Sequence, residues 1–379
     1  MSPPLSAPPA TIGLVRRGHS DLGGAEAYLK RLARGLSEAG HTTRLFTDAA
    51  WPAREWPWGP ITRLRGETAH RFADELQKIG PKNQCDLLLS LERVWSCDVY
   101  RAGDGIHRSW LARRAAVSSL PRRLMAYFNV KHRELLELEN ALFRSGAGHV
   151  IANSHMVARE AQEYYGYPAA RIDVVPNGVP VADFQPDPEA RRLRRKILRL
   201  AEEEIAVLFV GSGWERKGVR FAVRAVNSLG KNFRLLVAGR GRSHLARGPF
   251  IQRLGPVRDL PALYAAADIF LLPTLYDPFS NACLEALAAG LPVITTRTNG
   301  FSEIIEQGVH GSILDSASDT AQIRDALLYW AAPERRLAAR SAILERAGYF
   351  DISVNVERTL AVLHHAPKAE AVSGKIRKT

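Results

Sequence analysis

The chain is poor in cysteine and methionine and has no long hydrophobic run. Only three of its 379 residues are cysteines, and no two of these (Cys85, Cys97, Cys283) have a CxxC spacing. This excludes a disulfide framework, shows no zinc signature and fits a reducing cytoplasm. No stretch approaches the ~18 apolar residues of a membrane-spanning helix. Residues 1–10 are proline-rich without a basic n-region, so no signal peptide is predicted.

Acidic residues are also in deficit. The chain has 39 Asp and Glu against 52 Lys and Arg, a net charge of +13. Such a surplus predicts a polyanionic partner: a nucleic acid, a phosphorylated glycan or an anionic membrane. No helix-turn-helix, RNP or zinc pattern accompanies the charge, which disfavours nucleic acid. The length and the 46% hydrophobic content indicate a globular protein of two domains.

Apolar runs of strand length alternate with segments of helical spacing. The predicted strand Thr11–Val15 precedes a helical pattern over 25–40. After a Pro- and Gly-rich segment over 176–188, which is predicted to be a linker, the alternation of strands and helices begins again with a strand at 206–210. The predicted fold class is therefore α/β, with two Rossmann-like, doubly wound domains facing across a cleft. The first domain is expected over 1–175 and the second over 176–345.

The strongest chemical signal lies in Tyr276–Thr296. Asp277 precedes Glu285 by eight positions, and a helix is expected from about Asn281 with Ser280 as its N-cap. A helix N-terminus suits a diphosphate, and Glu285 would accept the ribose hydroxyl protons. The alternative is an ordinary cap followed by an exposed acid. The expected donor-binding residues here are Ser280, Asn281, Ala282, Cys283, Leu284 and Glu285.

This stretch resembles the Glu-x7-Glu donor motif of retaining glycosyltransferases with the GT-B fold, in family 4, which includes lipopolysaccharide core glucosyltransferases. Asp277 replaces the first Glu of that motif, which changes the reach of the carboxylate into the sugar pocket. The resemblance runs from about Thr11 to Ala366. It implies an acceptor-binding first domain, a nucleotide-sugar-binding second domain, and over 346–379 a C-terminal helix packing back on the first domain before a disordered tail.

A second signal is Gly211-Ser-Gly-Trp-Glu-Arg-Lys-Gly218, directly after a predicted strand. It is not a P-loop, because the spacing differs and no Ser or Thr follows the lysine. Arg216 and Lys217 place two cations where they suit a leaving diphosphate, with Gly211 at the donor; the alternative is a solvated pair. The segment resembles the Arg-Lys-Gly segment of the same family, whose cations hold the nucleotide phosphates.

Two loops complete the expected donor site. Gly23 and Gly24 follow the first strand and allow close approach of the backbone to a ligand. They resemble the Gly-Gly-Ala-Glu segment of family 4, in which Glu26 is either functional or a first-turn acid that complements the helix dipole. Val257 lies in Leu254-Gly-Pro-Val257, which resembles the loop whose backbone reads the nucleotide base.

The segment Cys97–His107 resembles the stretch of core glucosyltransferases in which an Asp lies by the reacting centre, and Asp104 occupies the matching position. Other members of family 4 use a His in this region, so His107 stays an alternative. The non-catalytic alternatives are that Asp104 is a turn residue and that His107 makes a surface or phosphate contact.

A basic segment spans residues 108–133, with seven Lys or Arg and no acid. Aromatic residues are interleaved with the charges, as in an interfacial patch on anionic lipid or a phosphate-gripping surface for the acceptor. A solvated basic face is the alternative. The residues assigned to the acceptor or the membrane are His107, Arg113, Arg114, Arg122 and Arg123.

These observations predict a retaining glycosyltransferase that moves a hexose, glucose from UDP-glucose, to a glycolipid such as the lipopolysaccharide inner core. Its expected location is the cytoplasm, peripheral on the inner face of the membrane. The expected catalytic residues are Asp104, Arg216, Lys217 and Asp277. No metal cofactor is expected, because the chain has no Asp-x-Asp.

Alternatives remain open at this stage. They are another donor sugar or acceptor (an exopolysaccharide or a lipid-linked glycan), a sugar-nucleotide 2-epimerase, or a non-catalytic protein that binds a nucleotide sugar or glycolipid. A NAD-dependent dehydrogenase is excluded, because neither glycine-rich loop completes Gly-x-Gly-x-x-Gly.

Overall fold

The computed structural model describes residues 9–19, 24–49, 51–118 and 129–366. The chain divides into two compact units, residues 1–175 together with 356–379, and residues 176–355. The division after Val175 coincides with the domain boundary predicted from the sequence. The residues that return to the first unit begin at Val356, ten positions after the expected 346. The tail expected to be disordered lies outside the described residues from 367 onward.

The described part of the first unit contains a seven-stranded parallel sheet with strand order β3-β2-β1-β4-β5-β6-β7. Its strands are β1 (Thr11–Val15), β2 (Thr42–Thr47), β3 (Ile61–Arg63), β4 (Leu87–Ser90), β5 (Cys97–Arg101), β6 (Ala147–Ala152) and β7 (Ile172–Val174). Its helices are Gly24–Glu38, Ala69–Lys78, His107–Ala116, Val130–Ala141 and His155–Tyr165, and Ile352–His365 enters it from the second unit.

The second unit contains a six-stranded parallel sheet with strand order β10-β9-β8-β11-β12-β13. Its strands are β8 (Ile205–Val210), β9 (Phe233–Ala238), β10 (Ile251–Gly255), β11 (Ile269–Leu272), β12 (Val293–Thr296) and β13 (Gly311–Leu314). Its helices are Pro188–Ile197, Val219–Leu229, Leu260–Ala266, Asn281–Ala288, Thr320–Ala331 and Pro333–Gly348.

Helices with one apolar stripe cover these sheets. The helix Gly24–Glu38 buries Leu29, Leu32 and Leu36, which recur at the three- and four-residue spacing that places them on one face. The central strands are buried throughout, as expected where helices cover both faces of a parallel sheet. The predicted α/β fold class is therefore confirmed for each unit.

One prediction about local structure is wrong. The segment 176–188 is not a plain linker, since it contains the turn Val181–Phe184 and buries Asn177 and Phe184 against its own unit. The segment carries Pro and Gly, so its composition resembles that of a loop although tertiary contacts order it. The segment 254–257 begins in the last two residues of strand β10, and Val257 follows the strand.

The cysteine prediction is confirmed, since Cys85, Cys97 and Cys283 are buried and unpaired. Among the described residues, no helix is both long enough and apolar enough to cross a membrane. Polar residues concentrate just beyond the carboxyl ends of the strands in both sheets, where parallel α/β sheets bind ligands.

Candidate active site

In the second unit, a lysine, an arginine and an aspartate meet beyond the carboxyl ends of β8 and β11. Lys217 Nζ lies 2.8 Å from Asp277 Oδ2, and Arg216 Nη1 lies 4.0 Å from the same oxygen. The side chain of Lys217 is only 12% exposed and that of Asp277 only 6%. The structure thus brings together three residues that the sequence analysis assigned to catalysis.

Gly211 positions Lys217 by having no side chain. A Cβ on Gly211 would lie 2.5 Å from Lys217 Cδ and 2.8 Å from Cε, and the φ of Gly211 is +152°. The lysine stem therefore crosses the backbone of Gly211 on its way to Asp277. Any larger residue at position 211 would displace this stem, so Gly211 supports the cation.

The electrostatics of Asp277 follow from its two cationic neighbours. Burial alone would raise the pKa of this carboxyl, but the charges of Lys217 and Arg216 hold it below its ordinary value. Asp277 is therefore ionised near neutral pH. Two cations share one carboxylate, which leaves a local surplus of positive charge.

Arg216 is also tied to the loop that follows β11. Its guanidinium donates to the carbonyl of Tyr276 at 3.1 Å, and its own carbonyl accepts from the backbone N–H of Leu275 at 2.8 Å. The cationic segment and the loop carrying Asp277 are thus fastened to each other at several points. This fixes the distance between the two motifs, which lie 60 residues apart in sequence.

The helix Asn281–Ala288 begins beside Asp277, as predicted. Ser280 is its N-cap, since its side chain accepts from the N–H of Cys283 at 3.4 Å, and its carbonyl accepts from Leu284 at 3.2 Å. The backbone donors of Cys283 and Leu284 are therefore used within the helix.

Two asparagines organise the start of this helix. Asn299 Oδ1 accepts from the N–H of Ser280 at 3.2 Å, and its amide group donates to Thr295 Oγ1 at 2.9 Å. Asn177 donates to Asn281 Oδ1 at 2.7 Å. These contacts hold the cap in place from two sides.

Glu285 is buried, so the alternative of a solvated helix acid is wrong. Tyr264, on the helix Leu260–Ala266, donates to Glu285 Oε2 at 3.1 Å. The phenol of Tyr264 thereby orients the carboxylate expected to accept ribose hydroxyl protons. Tyr264 has no motif signal, since only the packing of the two helices brings it to Glu285.

The other donor-loop residues lie in different surroundings. Val257 is half-buried in the short connection between β10 and the helix Leu260–Ala266. Gly24 is the exposed first residue of the helix Gly24–Glu38, and Gly23 lies outside the described residues.

The first unit carries a different charged group, beyond the ends of β1, β4 and β5. Arg16 lies 2.8 Å from Glu92, 3.3 Å from Glu26 and 3.5 Å from Asp104. Burial opposes the charge of Arg16, but these three carboxylates keep its pKa above the ordinary value. We call Arg16, Glu26, Glu92 and Asp104 the Arg16 cluster. Glu26 is therefore an ion-pair partner as well as a first-turn acid.

Within this cluster the carboxylates differ in exposure and protonation. The side chain of Asp104 is 50% exposed, whereas that of Glu92 is 15% exposed. Burial raises the pKa of Glu92, and the neighbouring charge of Asp104 adds to this against the opposing effect of Arg16. Asp104 is thus the accessible carboxylate of the group, while burial disposes Glu92 to hold a proton.

His107 is half-buried in the first unit and has polar partners on two sides. Its Nε2 lies 3.1 Å from Nδ1 of His132, and its backbone N–H donates to Glu139 Oε2 at 2.6 Å. Burial, with smaller effects from the nearby Arg93 charge and His132, lowers the pKa of His107 to about 4. The ring is therefore neutral near neutral pH and has a histidine partner.

Glu139 is a fully buried carboxylate that the sequence analysis did not single out. It caps the helix His107–Ala116 and accepts from Arg93 Nε at 2.9 Å and from the hydroxyl of Tyr165 at 2.6 Å. Arg93 also donates to the carbonyl of Gly105 at 2.6 Å. These bonds fasten the loop that carries Asp104.

The positive charge of the basic segment is partly neutralised by residues from elsewhere in the chain. Arg113 pairs with Glu160 at 3.1 Å, and Arg114 lies 3.5 Å from Nε2 of His132. The carboxylate that faces Arg113 comes from a later helix, which a local count of charges does not reveal. Arg122 and Arg123 lie outside the described residues.

Several residues of these groups had no motif signal, namely Arg16, Glu92, Arg93, Glu139 and Tyr264. Arg16 directly follows β1 and Glu92 follows β4 by two positions. Arg16, Glu92 and Arg93 could have been found from the sequence, because each is a charged residue just after a buried strand. Glu139 lies within a helix and has no such marker.

Comparison with known proteins finds two matching families and a set of related glycosyltransferases. Residues 22–183 match the family described as Glycosyltransferase Family 4, and residues 204–332 match Glycosyl transferases group 1. The D-inositol 3-phosphate glycosyltransferase of Pseudarthrobacter chlorophenolicus is 28% identical over 364 residues, covering 84% of each chain.

Two solved structures share the fold along the chain. WaaG, a glycosyltransferase involved in lipopolysaccharide biosynthesis, matches with a TM-score of 0.79 at 21% identity, covering 93% of this chain and 100% of WaaG. Anabaena HepE, in complex with UDP and glucose, matches with a TM-score of 0.67 at 17% identity, covering 94% of this chain and 99% of HepE. With its two Rossmann-like domains and both family matches, the chain is a glycosyltransferase of the GT-B fold, whose residues 22–183 match Glycosyltransferase Family 4.

Proposed function

We propose that this glycosyltransferase transfers glucose from UDP-glucose, with retention of configuration, to a hydroxyl of a phosphorylated glycolipid such as the lipopolysaccharide inner core. The observation that carries the proposal is the pair of cations, Arg216 and Lys217, within 4.0 Å of the single carboxylate of Asp277. Support for the donor comes from HepE, which binds UDP-glucose, and support for the acceptor from WaaG, which acts in lipopolysaccharide biosynthesis.

The cations act on the leaving group. When the glycosidic bond breaks, negative charge grows on the departing diphosphate, and Lys217, Arg216 and the start of the helix Asn281–Ala288 stabilise it. Lys217 has three N–H donors, so its bond to Asp277 leaves donors for a phosphate oxygen. The family resemblance supports same-face attack in which the leaving phosphate takes the acceptor proton.

Asp277 serves the donor sugar. Because its two cationic neighbours keep it ionised, it accepts hydrogen bonds from sugar hydroxyls. Its side chain is one methylene shorter than the Glu of the family motif. We therefore expect residue 277 to influence which hexose is preferred.

Asp104, rather than His107, is the residue we assign to the reacting centre. Asp104 is half exposed and ionisable beside Arg16, whereas His107 is neutral and turned toward His132. A carboxylate that reaches solvent can orient an acceptor hydroxyl, and a neutral, half-buried ring that already has a histidine partner is less suited to that task.

We propose catalysis without a bound metal. Arg216, Lys217 and the helix start supply the positive charge that a divalent cation supplies in other nucleotide-sugar enzymes. Turnover is then expected to be unchanged by EDTA, and a rate that falls with EDTA and recovers with Mg²⁺ or Mn²⁺ would contradict this.

A phosphorylated polyol is a second candidate acceptor, because several curated relatives are D-inositol 3-phosphate glycosyltransferases. Both acceptors present a phosphate near a hydroxyl, and the chain's net charge of +13 suits either one. A lipid acceptor would also bring the protein to the inner face of the cytoplasmic membrane, through the basic segment 108–133.

The test begins with nucleotide sugars. Purified protein is heated with UDP-glucose, UDP-galactose, UDP-N-acetylglucosamine, ADP-glucose or GDP-mannose. A ligand at 100 times its Kd adds about 2.7 kcal/mol to the free energy of unfolding. We expect the largest shift with UDP-glucose. A larger shift with another nucleotide sugar would overturn the donor assignment.

Transfer is then measured with lipopolysaccharide core acceptors and with inositol phosphates, and the anomeric configuration of the product is read by NMR. Asp104→Asn is the matched variant, expected to keep the thermal shift with UDP-glucose and to lose transfer. An inverted product would refute retention. Donor binding without transfer to any acceptor would favour the non-catalytic binding protein.

A further inference from the structure

Outside the candidate active site, the first unit brings two histidines and an aspartate together. His149 lies in β6, Asp173 lies in β7, and His365 is the last residue of the helix Ile352–His365. Asp173 pairs in register with Ile151, two positions after His149, so His149 and Asp173 share one face of the sheet. Nε2 of His149 is 2.8 Å, and Nε2 of His365 is 3.1 Å, from the same oxygen, Oδ2 of Asp173.

The hydrogen bonds of His365 constrain what lies between these atoms. Its Nδ1 is 2.7 Å from the carbonyl oxygen of Ala361, which only accepts, so Nδ1 carries a proton. In a neutral ring, Nε2 then has a lone pair directed at the carboxylate of Asp173, and two lone pairs at 3.1 Å repel. The arrangement requires a positive charge between the two atoms, either a second proton or a metal ion.

His149 is held through one nitrogen. The residue is 3% exposed, and within the described part of the chain its Nδ1 has no hydrogen-bond partner. Its polar contact is through Nε2, toward Asp173. Two imidazole nitrogens and one carboxylate oxygen thus lie within 4.8 Å of one another, close enough to be offered to a single ion.

We propose that His149, Asp173 and His365 bind a zinc ion. Imidazole nitrogen and carboxylate oxygen are ligands that zinc accepts, and three protein ligands with one water complete a tetrahedral site. With bonds of ~2.0–2.1 Å, tetrahedral ligands lie about 3.4 Å apart, so the contact of 3.1 Å would lengthen by about 0.3 Å and that of 2.8 Å by about 0.6 Å.

Two further features fit a metal site. The bond from Nδ1–H of His365 to the Ala361 carbonyl is the outer-shell bond that metal-binding histidines make, fixing the tautomer that leaves Nε2 for the ion. Asp173 and His365 have side chains that are 40% and 58% exposed, which gives the ion and its water a path from solvent. The ion would fasten the end of the helix Ile352–His365 to the edge strand β7.

The test uses the full-length chain without a histidine tag, stripped with a chelator and titrated with Co²⁺, whose visible spectrum reports tetrahedral coordination, and then with competing Zn²⁺. We expect one ion per chain. His365→Ala and Asp173→Asn should each weaken binding by at least about 100-fold, the upper end of what outer-shell changes cost. His244→Ala, an exposed histidine of the second unit, is the control and should bind like the parent chain.

Each variant is checked by circular dichroism, and Asp173→Asn keeps the shape of the side chain, so that loss of ion binding is separable from loss of folding. Failure of the parent chain to bind one ion, or equal binding by all variants including the control, would overturn the proposal. A proton would then bridge His365 and Asp173. The readout is metal binding, so it is independent of the proposed transfer reaction.

Discussion

Both units place charged residues at the carboxyl edge of a parallel sheet. The two sites differ in their ratio of cationic to acidic side chains. In the first unit one guanidinium, Arg16, lies among three carboxylates. In the second unit two cations, Arg216 and Lys217, face one carboxylate. The fold determines where a site lies, and the balance of charge determines what it can bind.

This difference suits two halves of one reaction. A positive surplus attracts and stabilises a diphosphate, as the donor requires. The carboxylates of the Arg16 cluster, of which Asp104 is the accessible one, accept hydrogen bonds from hydroxyl groups, as a sugar acceptor requires. The following four predictions test this contrast, beginning with the largest effect.

Glu139→Ala should have the largest effect and should act on stability. The change leaves Arg93 buried without its carboxylate and removes the acceptor of the Tyr165 hydroxyl. Breaking a buried pair in this way costs about 3–5 kcal/mol. Urea unfolding measures it, with Glu137→Ala on the same helix as the control, because the side chain of Glu137 is 69% exposed, whereas that of Glu139 is fully buried. Equal stabilities would show that Glu139 does not anchor the first unit.

Lys217→Ala should lower kcat/KM by about 100-fold or more, since one transition-state charge contact contributes on the order of 3 kcal/mol. Asp277 would keep only Arg216, 4.0 Å away. Lys231→Ala, an exposed lysine just after the helix Val219–Leu229, is the control and should retain the parent rate. A Lys217 variant with the parent kcat/KM would remove the positive surplus from the mechanism.

His107 should contribute to the pH dependence of the free energy of unfolding. Its folded pKa of about 4 lies below the ordinary 6.5, chiefly because of burial, so unfolding takes up a proton between these values. The stabilisation is complete above pH 6.5 and is lost as the pH falls toward 4. His107→Asn should flatten the decline in unfolding free energy over this window. A decline as steep as that of the parent chain would contradict a neutral His107.

The smallest effect is expected from Arg122→Gln combined with Arg123→Gln. Each arginine near an anionic surface contributes about 1 kcal/mol, so vesicle affinity should fall by roughly 30-fold in co-sedimentation at low salt. Arg113→Gln is the comparison and should have less effect, because Glu160 already faces that charge. Unchanged binding by the double variant would refute the membrane role of the basic segment.

The sequence predicted local features well. The strands Thr11–Val15, Phe233–Ala238 and Ile269–Leu272 and the helix starting at Asn281 lie where the patterns placed them. Ser280 caps that helix as expected. These features depend on residues a few positions apart, so periodicity and cap chemistry suffice to identify them.

The sequence did less well where partners come from afar. The basic segment contains no acid of its own, yet Glu160 neutralises Arg113 from 47 residues away. Cys283 and Leu284 lie in the expected turn, but Ser280 uses their backbone donors. Which groups stay open to a ligand depends on contacts that no local pattern encodes.

By itself, the sequence determined the α/β class, the division near residue 175 and the motifs around Asp277 and Arg216, because burial patterns and short spacings are local properties. Only the tertiary structure decided that Lys217 crosses Gly211 to reach Asp277, that Arg16 gathers three carboxylates, and that His365 meets Asp173. Those pairs are joined by strand order and helix packing, which bring together side chains tens to nearly two hundred residues apart.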